Sequence, residues 1–89
     1  MKIKRTTQFK KGYKKAVKAN KNINKFIEIL TILVQQEPIP EKYKDHALSN
    51  NYNGERDLHI EPDWLLIYHY ERDELVLTLT AMGSHSELF

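Results

Sequence analysis

Histidine is the side chain that gains and loses a proton near neutral pH. Three of the four histidines in this 89-residue chain stand in company that could use that property. His46 lies in Asp45-His46-Ala47-Leu48. His59 lies in Arg56-Asp57-Leu58-His59-Ile60-Glu61-Pro62-Asp63-Trp64. His85 lies in Gly83-Ser84-His85-Ser86-Glu87-Leu88-Phe89, just beyond an apolar strand. Cleaving RNA without a metal takes a base for the 2′-hydroxyl, an acid for the leaving 5′-oxygen, and cations around the crowded phosphorane. Imidazoles suit both proton roles. Asp63 could orient one or act as the base itself. Trp64 and Phe89 could stack on unpaired bases, although Trp64 reads equally well as a core aromatic opening a strand. His69, inside Tyr68-His69-Tyr70, reads as structural.

The charge pattern supports a polyanionic partner. The net charge is only +2, but residues 1–25 hold nine Lys, one Arg and no acid, while all twelve acids fall after residue 25. Such a segment attracts nucleic acid or an acidic protein, and Lys10, Lys11, Lys14 and Lys15 are the expected RNA contacts. A lysine-coated, solvated helix face is the bland alternative, since charge gives affinity without specificity. There is no cysteine, which excludes a disulfide, a thiolate nucleophile or a cysteine-based zinc site. The most apolar run, Phe26 to Val34, contains Glu28 and is too short to span a bilayer. A soluble, cytoplasmic protein with no membrane partner is expected.

The elements that must position these residues form one domain over 1–89. Met1 to Arg5 reads as a strand, with Thr6 and Thr7 as capping types. Phe9, Tyr13, Ala16 and Val17 make a helical stripe over about Gln8 to Ala19. A second helix is expected from Asn22 to Gln36, with Ile23, Phe26, Ile27, Leu30, Leu33 and Val34 inward, ended by Pro38 and Pro40. Residues 41–53 are polar and irregular. Three strands follow: Glu55 to Glu61, Trp64 to Tyr70, and Leu75 to Met82, joined by turns short enough for hairpins. The middle one is apolar on both faces and therefore central. The fold class is α+β, β-α-α-β-β-β, an antiparallel sheet with two helices on one face. If Leu58 and Ile60 meet the helices, Asp57 and His59 lie on the open face, where His85 can fold back.

These three histidine motifs, with Leu65-Leu66-Ile67-Tyr68, resemble the YafQ branch of the RelE-type bacterial toxins of type II toxin–antitoxin pairs. The resemblance extends over the whole chain in length and element order. It implies a RelE-like fold and a ribosome-associated endoribonuclease that cuts mRNA and is silenced by a cognate antitoxin. It also implies an active site at His46, His59, Asp63, His85 and Phe89. The family pattern has an arginine two residues before the glycine of the last motif. Ala81 stands there, so either another cation substitutes, with Arg56 the first candidate, or the nuclease is slow.

Two other classes deserve comparison. A non-catalytic superfamily member could inhibit a protein such as DNA gyrase, but three matched histidines count against it. A zinc site from His46, His59, Asp63 and His85 is chemically conceivable, yet these residues lack tight ligand spacing. No metal or other cofactor is expected.

Overall fold

A computed structural model describes all 89 residues. The order is β1 (Lys2–Arg5), α1 (Thr7–Lys18), α2 (Ile23–Gln35), β2 (His46–Ala47), β3 (Arg56–Glu61), β4 (Trp64–Glu71), β5 (Val76–Gly83) and α3 (His85–Leu88). The five strands form one sheet in the order β1-β5-β4-β3-β2. β3, β4 and β5 are the expected antiparallel meander. The sheet as a whole is mixed, because β1 pairs parallel with β5, Lys2 opposite Val76 and Arg5 opposite Leu79. The connection through α1 and α2 carries the chain back across one face, which a parallel pair requires. β2 adds a two-residue edge where an irregular loop was expected, and α3 adds a turn of helix after β5.

Thr6 caps α1 by accepting the Phe9 amide at 3.0 Å, and its hydroxyl donates to Thr80 O at 2.6 Å. The helix is thus fixed to β5 at its start. Phe9, Ala16, Phe26, Ile29 and Leu33 pack on Leu58, Ile60, Trp64, Leu66, Tyr68, Leu77 and Leu79. In α2 the buried residues are Phe26, Ile29 and Leu33, whereas Ile27 is 46% exposed. Ile23, Leu30 and Val34 are only partly buried at the margin. The expected stripe therefore holds except at Ile27, which turns outward, while Ile29 takes a buried place. A run apolar on nearly every side offers several stripes of helical period, and the contact with the sheet selects one.

β4 is buried from Trp64 through Tyr68. Its alternate residues Leu65 and Ile67 point away from the helices, and both are fully covered. The loop bearing Tyr52 meets the C-terminal residues on that side. Tyr52 Oη donates to Leu88 O at 3.1 Å, and the Tyr52 and Phe89 rings meet edge-on at 5.5 Å. No helix of the structure is long and apolar enough to cross a membrane.

Candidate active site

Pleating distributes the polar residues of β2 and β3 between the two faces. His46 lies directly opposite Asp57, and Ala47 opposite Arg56. Residues paired this way point to the same side, so His46, Asp57 and His59 share the face away from α1 and α2. His46 Nδ1 lies 2.8 Å from Lys44 O. A carbonyl can only accept, so Nδ1 carries the hydrogen and Nε2 is turned to Asp57 Oδ2, 3.6 Å away.

Asp57 is the centre of the arrangement and did not stand out in the sequence. It is only 3% exposed, and its Oδ1 has no hydrogen-bond partner. Burial holds its carboxyl above the usual carboxylate value, against the pull of His46, His59 and His85. A buried carboxylate ringed by imidazoles is the kind of shifted group that marks functional sites.

His85 and Phe89 come from α3, whose position is strongly determined. Ser84 Oγ accepts the Glu87 amide, and Glu87 Oε1 accepts the Ser84 amide at 2.8 Å, a complete capping box. The spacing Ser84-x-x-Glu87 could have signalled this helix in the sequence. Lys15 of α1 reaches Glu87 at 2.8 Å, and this contact first, then Ser84, holds the Glu87 carboxyl down at about 2. The His85 ring meets Phe89 edge-on at 5.0 Å. Asp63, in the β3–β4 turn, accepts the backbone amide of His85 at 2.9 Å. That contact makes Asp63 an anchor for the main chain beneath His85.

Several expected RNA contacts are placed away from the histidines. Arg56 is on the helix side, where Nη2 meets Asp45 Oδ2 at 2.7 Å and Nε meets the same carboxylate at 3.2 Å. Tyr68 donates to Asp45 as well. Arg56 is therefore part of a structural cluster across the sheet from the histidines, as strand alternation requires. Trp64 is 2% exposed within the core, so its ring has no face free for a base. Lys15 is engaged with Glu87, while Lys10 and Lys14 fall about 140° and 100° round the helix from it at 3.6 residues per turn. Lys11 is exposed and joins no ion pair. Ala81 is wholly buried opposite Ile67. His59 borders a cleft of ≈ 340 Å³ lined by Lys25, Lys42 and Lys44 together with Glu28 and Glu61, and of these lysines Lys25 is paired with Glu61. His69 bridges Glu55 at 2.8 Å and Glu71 at 3.5 Å, a structural bridge on the open face.

A mixed sheet with two helices on one side and an imidazole-rich margin on the other is the α+β arrangement that the resemblance to RelE-type proteins implies. Comparison with known proteins narrows the class. The family described as "Bacterial toxin of type II toxin-antitoxin system, YafQ" matches residues 1–89, and the chain belongs to it. The mRNA interferase toxin YafQ of Escherichia coli (strain B / BL21-DE3) is 41% identical over 83 residues, 92% of this chain and 88% of that protein. The crystal structure of YafQ from E. coli strain BL21(DE3) superposes with a TM-score of 0.90 at 40% identity, covering 98% of this chain and 96% of that one. A crystal structure of the E. coli DinJ–YafQ complex is similar at a TM-score of 0.87 and 41% identity, covering 98% and 96%.

Proposed function

We propose that this toxin is an mRNA endoribonuclease that attacks through the 2′-oxygen without a metal, acts at the ribosome in the cytoplasm, and is restrained by a cognate antitoxin. The observation that carries the reading is Asp57, buried beneath His46 and within the field of His59 and His85. His46 is the base: its Nδ1 hydrogen is occupied by Lys44 O, and Asp57 stabilises the imidazolium that forms when Nε2 takes the 2′-proton. His59 and His85 protonate the leaving 5′-oxygen and hold the phosphate. Phe89, 54% exposed, positions a base. Asp63 fixes the His85 main chain. Lys44 and Lys42 supply the positive charge that neither residue 81 nor Arg56 provides. The name mRNA interferase on a relative of 41% identity and the complex formed by DinJ and YafQ favour the activity and the antitoxin. Lys10, Lys11 and Lys14 contribute long-range attraction to RNA.

Cleavage of mRNA on programmed ribosomes tests the reading. His46→Ala, His59→Ala and His85→Ala should each lower the rate about 10²–10⁴-fold without unfolding the protein, and His69→Ala should leave chemistry intact. Activity should survive a chelator with ribosomes kept intact, stop at a 2′-deoxy scissile nucleotide, and leave a cyclic or 3′-phosphate. A 3′-hydroxyl product, or wild-type rates in folded His59→Ala and His85→Ala proteins, would refute it.

A further inference from the structure

A nuclease must hold the RNA on either side of the cut as well as at it, and α1 has a flank suited to that. A cleft of ≈ 480 Å³ lies between the end of α1 and the start of α3, lined by Lys15, Lys18, Lys21, Asp63, Ser84 and Glu87 among others. Of the two carboxylates in its wall, Glu87 is neutralised by Lys15, while Asp63 keeps its charge and is held by a backbone amide. Asp63 accepts the His85 amide, and Glu87 accepts Lys15 and the Ser84 amide. Lys15 is therefore a strut. Lys18 and Lys21 are exposed and belong to none of the ion pairs of the N-terminal segment, which join Lys4 to Glu71, Lys15 to Glu87 and Lys25 to Glu61. An anion entering the cleft meets two unneutralised ammonium groups against the single unpaired carboxylate of Asp63, a net positive balance, and lies against the turn that holds His85.

From this we infer that the cleft binds a backbone phosphate of the mRNA next to the scissile one, with Lys18 and Lys21 as its cations. An RNA strand presents such a phosphate at every nucleotide, so a chain whose reacting phosphate lies at His85 brings a neighbour to this cleft. The inference rests on the nuclease reading above.

The test compares two double substitutions that remove equal charge. Lys18→Gln/Lys21→Gln alters the cleft. Lys2→Gln/Arg72→Gln alters the far end of the sheet, where Lys2 pairs with Val76 and Arg72 precedes it in the turn. Long-range attraction falls equally in both. Cleavage is measured on programmed ribosomes with normal mRNA and with a neutral methylphosphonate at either phosphate flanking the cut. The cleft variant should lose roughly tenfold in kcat/KM, the size of one or two exposed charge contacts, chiefly through KM, and the remote variant little. At one flanking position the methylphosphonate should cost the wild type a similar factor and the cleft variant nothing more, the non-additivity of groups in contact. Equal losses in both variants would overturn the inference. So would a methylphosphonate effect undiminished in the cleft variant, which would assign the lysines to ribosomal RNA. Normal cleavage with weakened antitoxin binding would assign the cleft to an acidic peptide instead. Each of these leaves the nuclease reading intact, whereas wild-type cleavage by His85→Ala would remove that reading itself.

Discussion

Replacing Asp63 separates a chemical role from a positional one. Its Oδ1 accepts the main-chain amide of His85 at 2.9 Å, at the first turn of α3. Asparagine keeps a carbonyl oxygen in that place and loses only the charge. Alanine loses the acceptor. A helix-terminal contact of this kind is worth about 0.5–2 kcal/mol, and 1–2 kcal/mol corresponds to a factor of roughly 5–30 in an equilibrium. If Asp63 is an anchor, Asp63→Ala should depress single-turnover mRNA cleavage by about that factor, because His85 spends less time in place. Asp63→Asn should stay within a few-fold of wild type. If Asp63 were the general base, both substitutions would cost about 10²–10⁴. A loss of 10² or more in a folded Asp63→Asn protein would show that the contact with the His85 amide is not the reason this carboxylate is there.

Asp57→Asn should exchange activity for stability. Burial raises the Asp57 carboxyl above its ordinary 3.8. A raised carboxyl contributes stability that is complete below 3.8 and lost as pH rises through its native value. The asparagine variant cannot ionise, so it should melt above wild type at neutral pH, converge with it in acid, and cleave poorly; a pH-independent difference in Tm would contradict the burial argument. Gly12→Ala should destabilise, although alanine normally favours a helix by about 1 kcal/mol over glycine. A Cβ there would lie 2.0 Å from Met82 O, and urea titration should show a net loss of about 1–3 kcal/mol from the forced shift of α1. Arg56→Ala should cost about 1 kcal/mol through its half-exposed bond to Asp45 and leave the cleavage rate per folded molecule near wild type. A loss of about 10² in that rate would return Arg56 to the site.

The meander was legible because its signals are local. Leu58 and Ile60 alternate with Asp57 and His59, and the continuous apolar run of β4 could only be central. The β1–β5 pair was not legible as parallel, since β1 offers a single apolar residue, Ile3, and its partner strand lies some seventy positions away. The C-terminal helix had a readable capping signature that the nearby histidine and phenylalanine overshadowed. At the site, the histidines declared themselves by their neighbours. Asp57 could not, because its burial depends on β2 pairing at its side and on α3 closing over the same face. Trp64 and Arg56 have chemistry suited to RNA, but the pleat directs both to the helix side of the sheet, away from the histidines.

β5 is the only strand joined to both ends of the molecule. It pairs with β1 on one side and β4 on the other, receives α1 against its backbone at Met82, and leads directly into α3. The amino-terminal strand therefore has no partner until the last long strand is in place. That is a contact of very high sequence separation, and such contacts set slow folding rates because loop closure precedes any reward. Until β5 docks, one whole edge of Leu65-Leu66-Ile67 is open, a short uncharged apolar strand of the sort that pairs with other chains. Lesions in β5 should appear first as slow refolding and aggregation, and only afterwards as lost activity.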